Sequence, residues 1–383
     1  MRIGRAAVLL FAQVISCGAQ AARTTPAPAA RGGVNNNVDA LVEQAARKFM
    51  GDTHAVGLSV GVLKDGRTYT YNYGEVEKGR KGLPTQHTLY EIGSITKTFT
   101  GVLLARAAVE GRVKLDDDVR KYLDGDYPNL EFDGQPVRLV HLINHTSRLP
   151  FVMPDRPELF KNPNPFELPK ILTEIERKYT RDDFYRDLHA VKLDKAPGSD
   201  FKYSNAAAQL LGYILERVYR TTYGRLVAEK IARPLKMRET TLNPSASQLK
   251  RLAKGHYEDG SVALPVTPQS QAAGGLRSTV SDMLKYVAFH LKEDDEVIKL
   301  SHRPTWGDIK YYASRLNWQM KMTASGHRRI WQSGGTFGFA SYCAVFPELG
   351  IGIVLLSNES DRDSQGRLDT MANEILGGLG ERL

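Results

Sequence analysis

A serine followed three residues later by a lysine constrains this chain most, because the pair stands where an extended run turns into a helix. Ser94 and Lys97 lie within residues 90–100, which read YEIGSITKTFT. Apolar side chains recur at helical spacing after them and predict a helix with one buried face: Phe99, Val102, Leu103 and Ala107. Residues three apart are neighbours on a helix, so the Lys97 amine can approach the Ser94 hydroxyl.

A serine hydroxyl becomes an effective nucleophile only beside a base. Lysine serves as that base when burial and the positive end of a helix lower its pKa. We therefore predict that Ser94 is the nucleophile and Lys97 its base. The alternative is structural: Ser94 caps the helix and Lys97 is exposed in the first turn. The four residues alone do not decide between the two, so the choice depends on what accompanies them.

The beginning of the chain predicts export. Residues 1–22 combine arginines, a short apolar run and a small-residue cleavage site, which is the pattern of a signal peptide. Cys17 ends a sequence like the lipobox of bacterial lipoproteins, so it is a candidate lipid anchor. Residues 23–37 are rich in Ala, Pro, Gly and Asn and predict a linker, and 38–383 predict the folded domain. We expect an exported, periplasmic protein, anchored to the membrane if Cys17 is lipidated.

Composition excludes several classes of function. The net charge of +9 comes from basic residues interleaved with acidic ones, so nucleic-acid binding is not indicated. Cys17 and Cys343 are the two cysteines, which excludes a cysteine-based zinc site. His141 and His145 have the i, i+4 spacing of a helical zinc site but lack the glutamate that follows the first histidine of that motif. We predict no metal site.

Strand and helix patterns predict a two-lobed α+β fold. At each end of the chain a pair of strand patterns accompanies a helix pattern, and the middle, from 94 to about 300, is mostly helical. The predicted strands are 54–63, 67–73, 337–346 and 351–357, and the predicted helices include 38–50, 184–189, 206–218, 280–291 and 368–376. A sheet built from both ends with an inserted helical lobe would leave a groove at the lobe boundary.

Two further stretches could meet Ser94 in that groove. Tyr203 and Asn205 precede a predicted helix and, being two apart in an extended run, could face one site, with Tyr203 carrying a proton and Asn205 orienting a substrate amide. The structural alternative makes Tyr203 a core aromatic and Ser204 or Asn205 a helix cap.

The other stretch is the strand that ends in Gln332-Ser333-Gly334-Gly335. Such a strand could lie along a substrate backbone, and the Gly335 N–H could join that of Ser94 in an oxyanion hole. The alternative is a strand end or β-bulge with no functional part.

Together these three motifs, with their order and separations, resemble the penicillin-recognising serine hydrolases, specifically the class C β-lactamase and DD-peptidase branch. The resemblance includes 142–150, which read LINHTSRLP, and 274–279, which read GGLRST, and it covers nearly the whole chain after about residue 40. It implies a β-lactamase/transpeptidase-like α+β fold with an antiparallel sheet flanked by helices and an all-α lobe, a structural His145, and no metal or cofactor.

The resemblance also implies roles and a substrate class. Ser94 would be acylated, Lys97 and Tyr203 would handle its proton, and Asn205 and 332–335 would hold the substrate. The expected partner is a small molecule or peptide with an amide or lactam carbonyl, such as a β-lactam or a D-Ala-D-Ala peptide, and the enzyme is expected to be a monomer. The alternatives are an esterase or amidase of the same fold, or a penicillin-binding sensor that is acylated without turnover.

This chain departs from the family at two positions. The family's third motif usually begins with Lys or His, whereas Gln332 does not titrate, which weakens the expectation of carboxylate recognition. Arg362 or Arg367 could take over that role. Arg148 stands where the family loop most often has glycine, which indicates altered loop geometry.

Overall fold

The computed structural model describes residues 36–51, 54–80, 82–267 and 271–381. The predicted signal peptide (1–22), its Cys17 and most of the predicted linker (23–37) lie outside these residues. The described part begins in a helix at Asn36, two residues before the predicted start of the folded domain.

Helices occupy most of the middle of the chain. Within the described residues the α-helices are α1 Asn36–Met50, α2 Thr96–Val109, α3 Leu139–Ile143, α4 Glu167–Lys178, α5 Arg181–Leu188, α6 Asn205–Tyr219, α7 Tyr223–Val227, α8 Ala246–Leu249, α9 Gln271–Gly274, α10 Val280–His290, α11 Glu296–Ser301 and α12 Ser364–Gly378. No helix in these ranges is both long enough and apolar enough to cross a bilayer.

Strands concentrate at the two ends of the chain. They are β1 Gly57–Lys64, β2 Arg67–Gly74, β3 Tyr90–Glu91, β4 Glu131–Phe132, β5 Gln135–Pro136, β6 His256–Tyr257, β7 Arg277–Ser278, β8 Trp306–Asp308, β9 Tyr312–Ser314, β10 Gln319–Met322, β11 Arg328–Gly335, β12 Ala340–Phe346, β13 Ile351–Ser357 and β14 Glu359–Ser360.

A large antiparallel sheet is the centre of one lobe. Its strand order is β2-β1-β13-β12-β11-β10-β9-β8, so the N-terminal hairpin adds to the C-terminal strands through β1 and β13. The expected α+β architecture is therefore confirmed. The first predicted strand, 54–63, begins three residues too early, and the predicted 337–346 also begins three residues before Ala340.

Alternation along the central strands gives the sheet two buried faces. Leu58, Val60 and Val62 of β1 face α1 and α12, which cover one side. On the other side Val354 and Leu356 of β13 face the core that includes α10 and α2. Strands of this kind are buried on both faces and therefore need a helix layer on each side.

The helix that follows Ser94 is buried on all sides rather than on one face. Besides the predicted apolar positions, Thr98, Thr100 and Leu104 are also fully buried. The reason is that α2 passes through the middle of the molecule and contacts α3, α6, α9 and α11. Burial on all sides carries the residues at its start into the interior.

Candidate active site

Ser94 lies at the junction of the sheet lobe and the helical lobe. It occupies a short 3-10 turn, Gly93–Ile95, between β3 and the first residue of α2. Its Oγ lies 3.0 Å from Lys97 Nζ and 2.6 Å from the Tyr203 hydroxyl. The structure thus brings together three predicted residues, one of them 109 positions away along the chain.

Burial affects the two neighbours of Ser94 in opposite ways. Lys97 is fully buried, and the loss of solvation lowers its pKa well below the usual value for lysine, which favours a neutral amine. Its Nζ also donates to the carbonyl of Ala273 at 2.6 Å. Burial raises the pKa of Tyr203 to about 12, so the phenol keeps its proton at neutral pH. The pair therefore offers a base and an acid to one hydroxyl.

Tyr203 is held by a loop from the helical lobe. The backbone of Lys202 donates to the His145 carbonyl, and that of Asn205 to the Phe151 carbonyl, each at 2.7 Å. Ser204 caps α6 by accepting from Ala207, so the structural alternative was right for this residue. The hydroxyl of Ser204 also donates to the Pro150 carbonyl.

His145 packs its ring against Tyr203, with 4.2 Å between the ring centroids. The backbone N–H of Ser204 donates to His145 Nδ1, so Nε2 carries the proton and donates to Asn317 Oδ1 at 2.8 Å. Burial lowers the pKa of His145 to about 3, which keeps the ring neutral. These contacts give His145 the positioning role expected of a structural residue.

Two glycines let the end of β11 approach the nucleophile turn closely. A β-carbon built on Gly334 would lie 2.2 Å from the Ile92 carbonyl and 3.0 Å from the Ser94 nitrogen. One built on Gly93, whose φ is +48°, would lie 2.6 Å from the Gly335 nitrogen. No side chain fits between these backbones. The N–H groups of Ser94 and Gly335 are thereby held on two segments in contact.

Gln332 is buried and its amide is engaged within the sheet. Its Nε2 donates to the Asn317 carbonyl at 3.0 Å, and its Oε1 accepts from Gln319 Nε2 at 2.8 Å and from the Ser333 N–H. Asn317 also receives the His145 hydrogen bond, so Gln332 is linked to Tyr203 through neutral groups. The Ser333 side chain is half-buried, because side chains alternate along β11.

Asn205 stands at the first residue of α6, where it lines a small cavity with Gln209. Its side-chain amide has no hydrogen-bond partner among the described residues. The prediction placed Tyr203 and Asn205 in one extended run that faces one site. In the structure the extended run ends before Asn205, which is the first residue of α6. The amide is nevertheless unpaired and half-exposed, as a substrate-binding group would be before substrate arrives.

Arg148 adopts the backbone conformation that a glycine would favour. Its φ is +67°, and its guanidinium makes two hydrogen bonds to Asp194, at 2.9 and 2.8 Å. The strained residue is thus fastened by an ion pair in which the arginine is buried. Position 148 of the loop is therefore in the left-handed region, and the ion pair with Asp194 holds the arginine there.

Arg367, which the sequence offered as a replacement for the family's usual Lys or His, is paired with Glu359 and Asp361. Two other side chains bear on the site in ways that the sequence did not indicate. Gln365, exposed in the first turn of α12, places its Nε2 2.6 Å from where a β-carbon of Gly335 would stand. Glu176 lines the cavity beside Asn205. The sequence pattern of an amphipathic helix does not show which distant residue one of its polar side chains will contact.

A cavity of about 880 Å³ lies near the site but does not contain it. Glu91, Arg277 and Phe339 are among the residues that line it, whereas Ser94, Lys97 and Tyr203 are not. No group of three or more His, Cys, Asp and Glu side chains within the described ranges is arranged to hold a metal ion.

A protein-family model described as Beta-lactamase matches residues 42–376. The D-alanyl-D-alanine-carboxypeptidase/endopeptidase AmpH of Escherichia coli strain K12 is 29% identical over 341 residues, which cover 84% of each chain. A protein named beta-lactamase from the same strain is 27% identical over 345 residues, covering 79% of this chain and 84% of the relative.

Solved structures give the same picture. A beta-lactamase/D-alanine carboxypeptidase from Yersinia pestis, crystallised with citrate, superposes with a TM-score of 0.72 at 27% identity and covers 88% of this chain and 98% of its own. A protein with the same description from Pseudomonas syringae superposes with a TM-score of 0.74. At 22% identity, over 89% of this chain and 98% of its own, that likeness shows the fold alone.

Proposed function

Because this chain belongs to the β-lactamase family of serine hydrolases, we propose that it cleaves an amide or lactam bond next to a D-alanine-like residue through a covalent acyl-enzyme on Ser94. One observation carries the proposal: the Ser94 hydroxyl lies within hydrogen-bond distance of both a fully buried amine and a half-buried phenol. The relatives named as carboxypeptidase and beta-lactamase support β-lactams and D-Ala-D-Ala peptides as the substrate class.

The acylation step follows from these positions. The neutral amine of Lys97 accepts the proton of Ser94 as Oγ attacks the substrate carbonyl, and the negative charge that forms on the carbonyl oxygen is stabilised by the N–H groups of Ser94 and Gly335. Tyr203 then donates its proton to the leaving nitrogen and recovers one from Lys97. The net result is the transfer of one proton from Ser94 to the leaving amine. Asn205 holds the amide on the acyl side of the substrate.

Deacylation returns the enzyme to its first state. Water attacks the ester carbonyl, its proton passes to the basic groups beside Ser94, and the oxygen of the serine is reprotonated. The same two backbone donors stabilise the second oxyanion. An oxyanion donor is typically worth about 3 to 4 kcal/mol, so the contact between the two backbone segments contributes as much as a side chain.

A substrate panel with a Ser94→Ala control tests the proposal. The wild-type protein should open a chromogenic cephalosporin and release D-alanine from a peptide ending in D-Ala-D-Ala, and the variant should do neither. Intact-mass measurement after penicillin treatment should show an adduct that disappears with time. A permanent adduct would indicate a sensor, and the absence of both turnover and adduct would overturn the proposal.

The second candidate function is an esterase or amidase for uncharged substrates. It is favoured by Gln332, which is neutral and fully hydrogen-bonded where the family usually has a cation, and by the neutral Gln365 beside Gly335. Hydrolysis of a p-nitrophenyl ester by the wild type but not by Ser94→Ala, without action on the other two substrates, would select this function.

Replacing Gln332 by lysine tests the substrate's charge. Gln332→Lys introduces a cation that can attract a carboxylate, so kcat/KM for the cephalosporin should rise relative to that for the uncharged ester. Gln135→Lys is the matched control, since it adds the same charge at an exposed position of β5. Equal effects on both substrates would mean that the carboxylate is held elsewhere.

Export and a lipid anchor are part of the proposed function. The signal-peptide pattern of 1–22 supports transfer to the periplasm, and Cys17 supports lipidation. Amino-terminal sequencing of the mature protein and palmitate labelling of wild type and Cys17→Ala separate a cleaved signal from a lipid-anchored chain. Sedimentation analysis of the soluble domain tests the expected monomer.

A further inference from the structure

A small cavity is lined by Asn205, the residue proposed to hold the amide on the acyl side of the substrate. Its volume is about 40 Å³, enough for one group the size of a water molecule. Aromatic rings form part of its wall, together with two amides and one carboxyl group: Tyr179, Phe184, Tyr213, Asn205, Gln209 and Glu176.

The carboxyl group of Glu176 has no cationic partner among the described residues. The Thr267 hydroxyl donates to Oε2, and no Lys, Arg or His of these residues forms an ion pair with it. Glu176 is half-buried, and the loss of solvation raises the pKa of its carboxyl to about 7. The fully buried carboxylates of the described residues each have a basic partner, as Glu91 has Arg277 and Asp282 has Lys285. Glu176 differs from them as a half-buried acceptor without a cation in this part of the chain.

The cavity shares a wall with the catalytic cluster. Ala273 lines it, and the carbonyl of the same residue accepts the hydrogen bond of Lys97 Nζ. Asn205, two residues after Tyr203, lines it as well. A substrate held by the amide of Asn205 could thus extend a side chain towards Glu176.

We infer that Glu176 is a specificity-determining residue that binds a protonated primary amine on the acyl portion of the substrate. This inference rests on the proposed acyl transfer at Ser94. The ammonium end of an alkylamine is about the size of the one group that the cavity holds, donates hydrogen bonds to a carboxylate and is attracted by aromatic faces. A substrate without the amine leaves the half-buried carboxyl with the Thr267 hydroxyl as its donor and without a cation among the described residues.

A matched pair of tripeptides tests the inference. Nα-acetyl-L-Lys-D-Ala-D-Ala carries a free ε-ammonium group, and the Nα,Nε-diacetyl peptide has the same backbone without that charge. The wild-type protein should prefer the free amine about tenfold or more in kcat/KM. Glu176→Gln keeps the size of the side chain and its bond to Thr267, and should bring the ratio near one.

Glu174→Gln is the matched control, since it removes an exposed carboxylate from the same helix and should leave the ratio unchanged. A wild-type ratio of one or less overturns the inference without reference to any variant. So does a wild-type preference that survives in Glu176→Gln.

Binding separates this inference from the proposed function. In a Ser94→Ala background, calorimetry compares the Kd of the two peptides with and without Glu176→Gln. Binding that favours the free amine only when Glu176 is present, without turnover by the wild type, would overturn the D-Ala-D-Ala hydrolase and keep the amine site. Turnover of both peptides with equal binding would keep the hydrolase and overturn the amine site.

Discussion

At the scale of single residues, the loss of solvation lowers the pKa of an amine and raises the pKa of a phenol beside the same hydroxyl. Lys97 is fully buried and Tyr203 half-buried, and the loss of solvation favours the neutral form of each, which is a base for the amine and an acid for the phenol. The same environment thus prepares both groups at neutral pH. Lys97 would lose this property in water, where its amine would be protonated.

Lys97→Ala tests that assignment. Removing the base should lower the acylation rate by about a thousandfold or more, because an activated nucleophile and its base act as a unit. The measurement is the rate of appearance of the penicillin adduct by mass spectrometry. Lys299→Ala, which removes a surface lysine paired with Glu296, should not change that rate. An unaltered rate in Lys97→Ala would assign the proton transfer to Tyr203.

The half-buried carboxyl of Glu176 should make stability depend on pH. Its pKa in the folded protein is about 7, above the usual 4.5, so the folded chain holds a proton that the unfolded chain releases between these values. Stability from this group is complete below pH 4.5 and is lost as the pH rises through 7. Glu176→Gln should therefore gain up to about 3 kcal/mol relative to wild type between pH 5 and pH 8.

Urea unfolding at both pH values measures this gain. The control is Glu174→Gln, whose carboxylate is exposed. If the difference between Glu176→Gln and wild type is the same at pH 5 and pH 8, the carboxyl does not titrate as its burial requires.

The sequence predicted some of these residues and not others, for a physical reason. Ser94 and Lys97 are three apart on one turn, so local geometry sets their distance. Tyr203 was expected at the site, and the structure places it there. Glu176 and Gln365 reach the site only because distant elements pack together, and no local pattern records that.

At the scale of elements, the site depends on a strand touching a turn. The end of β11 and the turn Gly93–Ile95 approach so closely that a single β-carbon at Gly334 would collide with the Ile92 carbonyl. The two proposed oxyanion donors, the N–H groups of Ser94 and Gly335, belong to these two segments. The two segments can lie this close only because Gly334 has no side chain.

Gly334→Ala should separate the two segments. We expect at least a hundredfold loss of acylation rate, since one oxyanion donor leaves its place, together with a lower Tm. Gly366→Ala is the matched control, because a β-carbon at that helical position meets open space. Wild-type acylation by Gly334→Ala would mean that Gly335 is not the second donor.

Element boundaries show where the sequence was informative. The helices α1, α2, α6, α10 and α12 and the two hairpins were predicted because their apolar periodicity is local, and α12 differs mainly by starting at Ser364 instead of 368. The 12-residue helix α4 was not predicted. The strands β8, β9 and β10 were missed. They have three or four residues each and become strands only by pairing with neighbours in the sheet, which is a non-local cause.

At the scale of the whole molecule, the sheet lobe is closed by both ends of the chain. α1 and α12 pack side by side over one face of the sheet, and Lys48 of α1 pairs with Glu374 of α12. Val42 lies fully buried between these layers. The stability of the lobe therefore depends on a helix whose buried side chains belong to a different core cluster from those of α2, the helix that carries Lys97.

Val42→Asp should show this dependence. A carboxylate buried there without a partner costs about 3 to 5 kcal/mol, and Tm should fall by roughly 5 °C or more. The acylation rate at low temperature should stay near that of wild type. Ala40→Asp places the same charge on the exposed side of α1 and should leave Tm almost unchanged. A selective loss of activity without a change in Tm would contradict this view.

The pairing of β1 with β13 has a consequence for how the protein is made. Leu58 and Ser357, which are partners in that pairing, lie 299 positions apart in a chain of 383 residues. A ribosome releases β1 long before it completes β13, so the nascent chain carries an apolar strand with an open edge for most of its synthesis. Shielding residues 57–64 during that interval would therefore reduce the loss of unfinished chains to edge-to-edge aggregation.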